Sequence, residues 1–387
     1  MRRDRSPHVA VLVDTATSWG RRLIRGIVRY SEHHGPWHLS VEARGQSDNL
    51  PLPAGWKGHG VIARIGSGRM LRALESTRLP VVNISAIDLP RNSFPQIITD
   101  YRKSAQLAVQ HFCDRGFRRF AYSGLPRTGF GRRHRDAFRE AVDALGFKCE
   151  VYEPLRARSG AGHTRKRQAH TIAWLQSLTK PVGIFTWATD PGRDLLEACR
   201  VAGISVPFEV AVLGGNFDEL LCDTAWPPMS GILVPSEQIG REAATLLDGL
   251  MHRQKAPTSP ILIPPTGVVE KRSTDTLAID DPDVAQALTI IRNRAFQSMQ
   301  ISDILQGVQV SRRSIERKFE QILGRSPTEE IRRVRMAKAK SLLAETSMPM
   351  QAIAQACGFA TYNYLTRVFT QENGVTPRDF RKKVQGR

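Results

Sequence analysis

Residues 304–319 read ILQGVQVSRRSIERKF, and residues 353–369 read IAQACGFATYNYLTRVF. In the first stretch Ile304, Leu305 and Val308 lead into Ser311, Ile315, Arg317 and Phe319; in the second, Ile353, Ala354 and the Cys357-Gly358-Phe359 run lead into Leu365, Arg367 and Phe369. Each is a short apolar helix, a tight turn and a second helix with a basic outer face. A helix-turn-helix requires that division, because one face packs on its own domain while the other lies in a groove of DNA. Two copies predict one polypeptide reading two neighbouring grooves.

Between the copies, Pro327 opens a long helix reaching to about Thr346, with Ile331, Val334, Ala339, Leu342 and Leu343 along one face. At 1.5 Å per residue it is about 30 Å long, close to the repeat of about 34 Å between adjacent major grooves on one face of DNA. It would therefore space two readers one turn apart. Val284 to Arg294 forms a preceding helix, Ser311 is an N-cap for the first reader, and Gly358 suits a turn needing positive φ. Residues 284–387 thus form an all-α domain with two helix-turn-helix units. The polar, proline-containing break at 273–283 is its linker to the rest of the chain.

Charge points to the same partner. The 387 residues include 56 Lys and Arg against 37 Asp and Glu, a net charge of +19, so polyanions are the natural class of partner. From Val284 onward there are 18 basic and 8 acidic residues, a net of +10, so both parts of the chain carry the excess. The five cysteines (Cys113, Cys149, Cys199, Cys222, Cys357) are scattered with no metal-ligand spacing, and read as reduced, packed thiols. No signal peptide or membrane span is evident, so a cytoplasmic protein with no membrane partner is expected.

The first 272 residues alternate strands with amphipathic helices. His8–Val13, Gly60–Ile65, Val81–Ser85, Phe120–Gly124, Val182–Trp187 and Val210–Gly214 are short runs rich in buried-type residues. Helical patterns cover Trp19–Ser31, Tyr101–Arg115, Arg133–Leu145, Thr164–Leu178, Pro191–Ala202 and Ser236–His252. Such alternation predicts an α/β class: a bilobal body of two doubly wound parallel sheets. Ligands of that architecture bind where loops converge at the carboxyl ends of strands. Those loops carry Asp14, Trp19, Ser85, Asp100, Arg133, His134, Arg135, Trp187, Asp190, Asn216 and Asp218. Carboxylates, amides, guanidinium groups and indole faces suit a small polyhydroxyl compound, whose hydroxyls donate and accept while its C–H faces stack on rings. Taken singly, Asp190 before Pro191 reads equally well as a helix N-cap, and the 132–135 basic cluster as a solvated helix start.

Val11-Leu12-Val13, Arg21–Gly26, Thr99-Asp100, Phe120 with Gly124-Leu125-Pro126, Arg135–Arg139, Thr189-Asp190 and Glu270–Asp275 make the body resemble LacI-type regulators and periplasmic sugar receptors. Ala356–Phe359, Tyr364-Leu365, Arg367–Phe369, Gly374–Pro377 and Phe380-Arg381 resemble the AraC/XylS signature. The first strand starts at His8, leaving no room for the N-terminal DNA-binding segment of an ordinary LacI-type protein. DNA reading is therefore expected at the C-terminal end.

These resemblances imply a periplasmic-binding-protein-like sensor for a pentose or other monosaccharide controlling a double-stranded DNA reader. They also imply a homodimer and contact with RNA polymerase. By resemblance the base-facing positions are Arg312, Arg313, Glu316 and Arg317 on the first reader, and Tyr362, Asn363, Thr366 and Arg367 on the second. Arginine can take guanine O6 and N7 together, asparagine can pair with adenine, and glutamate can accept from cytosine N4. Arg332, Arg333, Lys338, Arg378, Lys382 and Lys383 are read as phosphate or solvent contacts. Arg317 and Arg367 have a second reading, as braces on helix-end carbonyls. His134 stands where related sensors commonly place an arginine, and Asn216 where they often place a carboxylate.

No Gly-x-Ser-x-Gly, His-Glu-x-x-His or Gly-x-x-x-x-Gly-Lys pattern occurs, so neither an enzyme nor a cofactor or metal is expected. The alternative is a carbohydrate-converting enzyme or sugar receptor fused to a DNA-targeting module.

Overall fold

The computed structural model describes residues 6–43, 45, 52, 55–87, 89–90, 92–124, 129–155, 161–275, 281–297 and 299–385. Leu125 and Pro126, and residues 276–280 of the expected linker, lie outside that set. The chain divides into two compact units: residues 1–111 with 118–275, and residues 112–117 with 276–387. The short segment 112–117 thus belongs with the C-terminal helices although it lies far away in sequence.

In the first unit, β1 (His8–Leu12), α1 (Ser18–His34), β2 (His38–Val41), β3 (Gly60–Ala63), α2 (Gly68–Glu75) and β4 (Val81–Asn83) open the chain. Their strands form a parallel sheet in the order β2-β1-β3-β4. Next come β5 (Ile97–Thr99), α3 (Tyr101–Cys113), β6 (Phe120–Ser123), α4 (Gly129–Asp143), β7 (Cys149–Tyr152), α5 (Ala161–Ser177), β8 (Val182–Thr186), α6 (Thr189–Ala202), β9 (Val210–Gly214), α7 (Glu219–Asp223) and β10 (Ser230–Leu233). The unit closes with α8 (Ser236–Met251), β11 (Ile261–Ile263) and β12 (Gly267–Val269). A six-stranded sheet runs β12-β10-β9-β8-β6-β7, parallel except that β12 pairs antiparallel to β10, while β5 and β11 make a separate parallel pair. Each lobe therefore carries its own sheet.

The central strands are buried on both faces, which explains their unbroken Val and Ile runs. The first lobe's core joins Val9, Val11 and Val13 of the β1 region to Leu23 and Ile27 of α1 and Ile239, Ala243 and Leu247 of α8. There α1 and α8 cross backbone to backbone. A Cβ on Gly26 would lie 2.0 Å from the Glu237 carbonyl oxygen, and one on Gly240 would lie 2.0 Å from that of Leu23. Glycine is required at both because no side-chain atom fits. The second lobe centres on Ile184, Val210, Val212, Leu195 and Leu196.

The second unit contains α9 (Pro282–Arg294), α10 (Ile301–Val308), α11 (Arg312–Leu323), α12 (Pro327–Glu345), α13 (Met350–Ala356), α14 (Tyr362–Asn373) and α15 (Pro377–Gln385). It has two cores that share α12. Val284, Leu288, Ile304, Ile315, Phe319 and Ile331 form one; Met336, Ala339, Leu343, Ile353, Leu365 and Phe369 form the other. Local signals set the boundaries. The Ser311 hydroxyl accepts from Ser314 N at 3.2 Å, and Ser326 with Glu329 makes a capping box ahead of Pro327. Gly358 has φ 74° and packs its Cα against the end of α9, where a Cβ would lie 2.7 Å from Ala295 O.

Candidate functional site: an effector cavity and two DNA-reading helices

A cavity of about 330 Å³ lies at the carboxyl ends of the strands in the first unit, the place where this architecture binds ligands. Asp14, Trp19, Ser85, His134, Trp187 and Asn216 line it together with Arg64, Thr99, Tyr101 and Ser104. Asp14 is buried and accepts a hydrogen bond from the Thr17 hydroxyl at 2.5 Å. Its other oxygen lies 3.6 Å from Arg64 Nη1, and the Arg64 guanidinium sits over the Trp19 ring at 5.9 Å. This side of the cavity therefore presents an indole and a balanced ion pair.

His134 forms the opposite side. Its Nδ1 is 3.0 Å from the Tyr122 hydroxyl, its ring stacks on Phe185 at 5.0 Å, and Tyr101 meets it edge-on at 5.6 Å. Burial pushes its pKa down to about 3, so the imidazole is neutral at physiological pH and offers hydrogen bonds without charge. Because the unfolded imidazole titrates near 6.5, the unfolded chain binds a proton between that value and about 3 that the folded protein refuses. Stability contributed by neutral His134 is therefore full above 6.5 and declines as pH falls. His134→Gln is expected to lose less melting temperature than the parent between pH 7 and pH 5; parallel curves would contradict this.

Asn216 is held from behind. Its Oδ1 accepts from Thr189 N at 2.9 Å, and the Thr189 hydroxyl donates to its carbonyl at 2.9 Å. Asn216 itself lines the cavity.

The remaining candidates lie off the cavity lining. Asp100 caps α3 by accepting from Lys103 N at 3.1 Å. Arg133 and Asp190 are exposed, and Arg135 pairs with Asp136 and Glu153. Asp218 accepts from Leu221 N at 3.3 Å as the cap of α7 and from Ser18 N at 2.8 Å, joining the second lobe to the start of α1. Burial alone would raise its pKa, but hydrogen bonds from the Ser18 amide and hydroxyl and the Leu221 amide, with the Arg21 charge, outweigh it and hold the carboxyl below its usual value. Arg64, Thr99, Tyr101 and Ser104 were not among the candidates. Tyr101 adjoins Asp100, and the helix cap turns the acid away from the cavity while the phenol enters it.

In the second unit, α11 exposes Arg312, Arg313 and Arg317, with Glu316 half-buried and bound to Arg312 Nε at 2.8 Å. On α14, Asn363 and Arg367 are exposed and Tyr362 and Thr366 are half-buried. Arg367 stacks over Tyr364 at 5.2 Å. Other arginines brace carbonyls, among them Arg335, whose Nε donates to Ala295 O at 2.6 Å, and Arg381, whose Nη2 donates to Met348 O at 2.7 Å. Arg333 is engaged in an ionic cluster with Asp114 and Glu330. Lys338, Arg378 and Lys382 are exposed, and the Lys383 side chain lies outside the described set. Among the described residues, no group of three metal-ligating side chains occurs and no helix is long and apolar enough to cross a membrane.

A strand-end cavity and two helix-turn-helix units on one chain define a ligand-controlled, DNA-binding transcription regulator. Residues 109–274 match the periplasmic binding protein-like domain and residues 304–383 a helix-turn-helix domain. The chain is 30% identical to the xylose operon regulatory protein of Haemophilus influenzae, over 96% of this chain and 97% of that protein. It is 29% identical to the protein of the same name from Escherichia coli K12, over 96% of each. A solved xylose-binding transcription activator aligns over 98% of both chains with a TM-score of 0.64 and 28% identity. The chain belongs to the family of xylose operon regulatory proteins, with an AraC-type reader at its C-terminal end.

Proposed function

We propose that the effector is a pentose, with D-xylose the first choice, and that it is held between Trp19, Trp187 and the polar groups of Asp14, Arg64, Ser85, His134 and Asn216. The observation that carries this reading is the cavity's pairing of two indoles with donors and acceptors from both lobes. A sugar needs apolar contact for its C–H faces and partners for every hydroxyl it buries. The relatives' names point to the same sugar.

We further propose that Arg312, Arg313, Glu316 and Arg317 read one groove and Tyr362, Asn363, Thr366 and Arg367 the next. The protein acts in the cytoplasm as a homodimer at paired half-sites and contacts RNA polymerase there; it does not transform its sugar. Calorimetry with D-xylose, D-ribose and L-arabinose tests the effector assignment. D-xylose should bind most tightly and be recovered unchanged, and Trp19→Ala should weaken it by about tenfold, roughly 1.4 kcal/mol. No heat with D-xylose would refute the pentose, and recovery of a converted sugar would favour an enzyme.

A further inference from the structure

Thr366 and Thr370 stand one turn apart on α14, half-buried, on the flank between the inner face of Leu365 and Phe369 and the outer face of Asn363 and Arg367. Both hydroxyl oxygens are buried and find no hydrogen-bond partner among the described residues. A threonine inside a helix has a ready acceptor, the carbonyl four residues back. Thr171 on α5 and Thr245 on α8 use it, at 3.0 and 3.1 Å. Thr366 and Thr370 do not, so each turns its hydroxyl inward at the cost of a buried donor without an acceptor.

Beyond its Cβ a threonine side chain holds one oxygen and one methyl carbon. With the Thr366 oxygen buried and the residue still half-open, the accessible part of the side chain is hydrocarbon. Its neighbours are polar. Asn363 lies one turn before it and is exposed, and Arg367 follows it, exposed, with its guanidinium over the Tyr364 ring at 5.2 Å. The start of the helix that carries them is fixed by the Thr361 hydroxyl, which accepts from Tyr364 N at 3.1 Å. This face of α14 therefore sets an amide and a guanidinium beside one apolar spot. In the major groove the base pairs present donors, acceptors and one apolar group, the C5-methyl of thymine.

We infer that Thr366 reads thymine through its γ-methyl group, beside the bases taken by Asn363 and Arg367, and that its hydroxyl takes no part. The inference rests on the reading that α14 lies in a major groove. Contact between two methyl groups selects thymine because cytosine, guanine and adenine bring no methyl to the same place. It carries no charge, so it adds specificity without adding to the salt dependence of binding.

Deoxyuridine, which lacks only the C5-methyl of thymidine, supplies the test. DNA selected by the full-length wild-type protein from a random duplex library is resynthesised with deoxyuridine at each thymine in turn, and its affinity is measured. One position, in the half of the site that Arg367→Ala relaxes, should lose about fourfold, the worth of one buried methyl group. Thr366→Ser should bind the thymine duplex about fourfold more weakly and make no distinction between thymine and deoxyuridine at that position. Thr366→Val keeps the methyl and removes the hydroxyl. It should retain the distinction and raise the melting temperature, because a buried unpaired donor is gone. Full affinity for every deoxyuridine duplex would overturn the inference, as would a Thr366→Val protein that loses specific binding while Thr366→Ser keeps it. A purely structural role for Thr366 would lower the melting temperature of Thr366→Ser and leave its distinction between the two bases intact. Arg367→Ala separates the two readings. If it relaxes half of the selected site while deoxyuridine has no effect, α14 reads DNA and the methyl contact alone falls. If it leaves the selected site unchanged, the assignment of α14 as a reader falls and takes the methyl contact with it.

Discussion

Gly240→Ala is expected to destabilise the first unit by about 3 kcal/mol, because overpacking here is against backbone and cannot be relieved by a rotamer change. The methyl carbon would stand 2.0 Å from the Leu23 carbonyl oxygen, 2.9 Å from its carbon and 3.2 Å from its Cα. Gly26→Ala meets the reciprocal obstacle at Glu237, so α1 and α8 must separate in either variant. That separation exposes the seam of Leu23, Ile27, Ala243 and Leu247. For a unit of this size the loss corresponds to a fall in melting temperature of roughly 6–12 °C. The control is Gly68→Ala on α2, where the nearest atom to a new Cβ is the mobile end of Arg72 at 3.5 Å. It should be neutral or slightly stabilising, since alanine suits a helix better than glycine. Equal melting temperatures for Gly240→Ala and the parent would show that the helices are not held in backbone contact.

Arg313→Ala and Arg367→Ala are expected to weaken specific DNA binding by about 1–3 kcal/mol each, roughly 5- to 150-fold, if each arginine grips a guanine edge. The effect on non-specific DNA should be much smaller, the loss of one charge near phosphate. The two residues lie on separate helices packed in separate cores. Their costs should therefore nearly add in the double variant. Selection from random DNA should also show Arg313→Ala relaxing one half of the site and Arg367→Ala the other. Glu316, held by Arg312, and Asn363, exposed on α14, give the halves different chemistry. Equal losses on specific and non-specific DNA would remove these arginines from base reading.

The sequence made the central strands and the two readers legible for one physical reason: complete burial leaves an unambiguous apolar pattern. Gly60–Ala63 and Val182–Thr186 are buried at every position. Residues Ile315, Phe319, Leu365 and Phe369 fall on the inner faces of α11 and α14 as their spacing predicts. Among the strands not anticipated, β2 and β12 have no buried residue and β7 and β11 have one each, while β5 and most of β10 are buried but run for only three and four residues. Alternation over three or four residues is too short a signal to separate such strands from loops.

The candidate site was legible by position more than by residue. Strand ends pointed to loops that line the cavity, yet neighbouring polar residues there have opposite fates. Asn216 faces the cavity while Asp218, two positions on, is consumed by backbone amides of Ser18 and Leu221. Arg64 lies inside the apolar run Gly60–Ile65 in sequence, and lines the cavity beside Asp14, fifty positions earlier. Arg333 likewise reads as a surface cation, and its pairing with Asp114 depends on a tertiary contact spanning 219 positions. No local pattern carries that information.

The central claim is that a sugar in the first unit controls how the second engages DNA. It is tested most directly by measuring the affinity of the purified protein for its selected DNA with and without saturating D-xylose, with sugar binding followed on the same sample. The predicted result is a change of about 5- to 150-fold, matched by an equal change in D-xylose affinity when DNA is bound. Bound D-xylose that leaves the DNA affinity unaltered would contradict it.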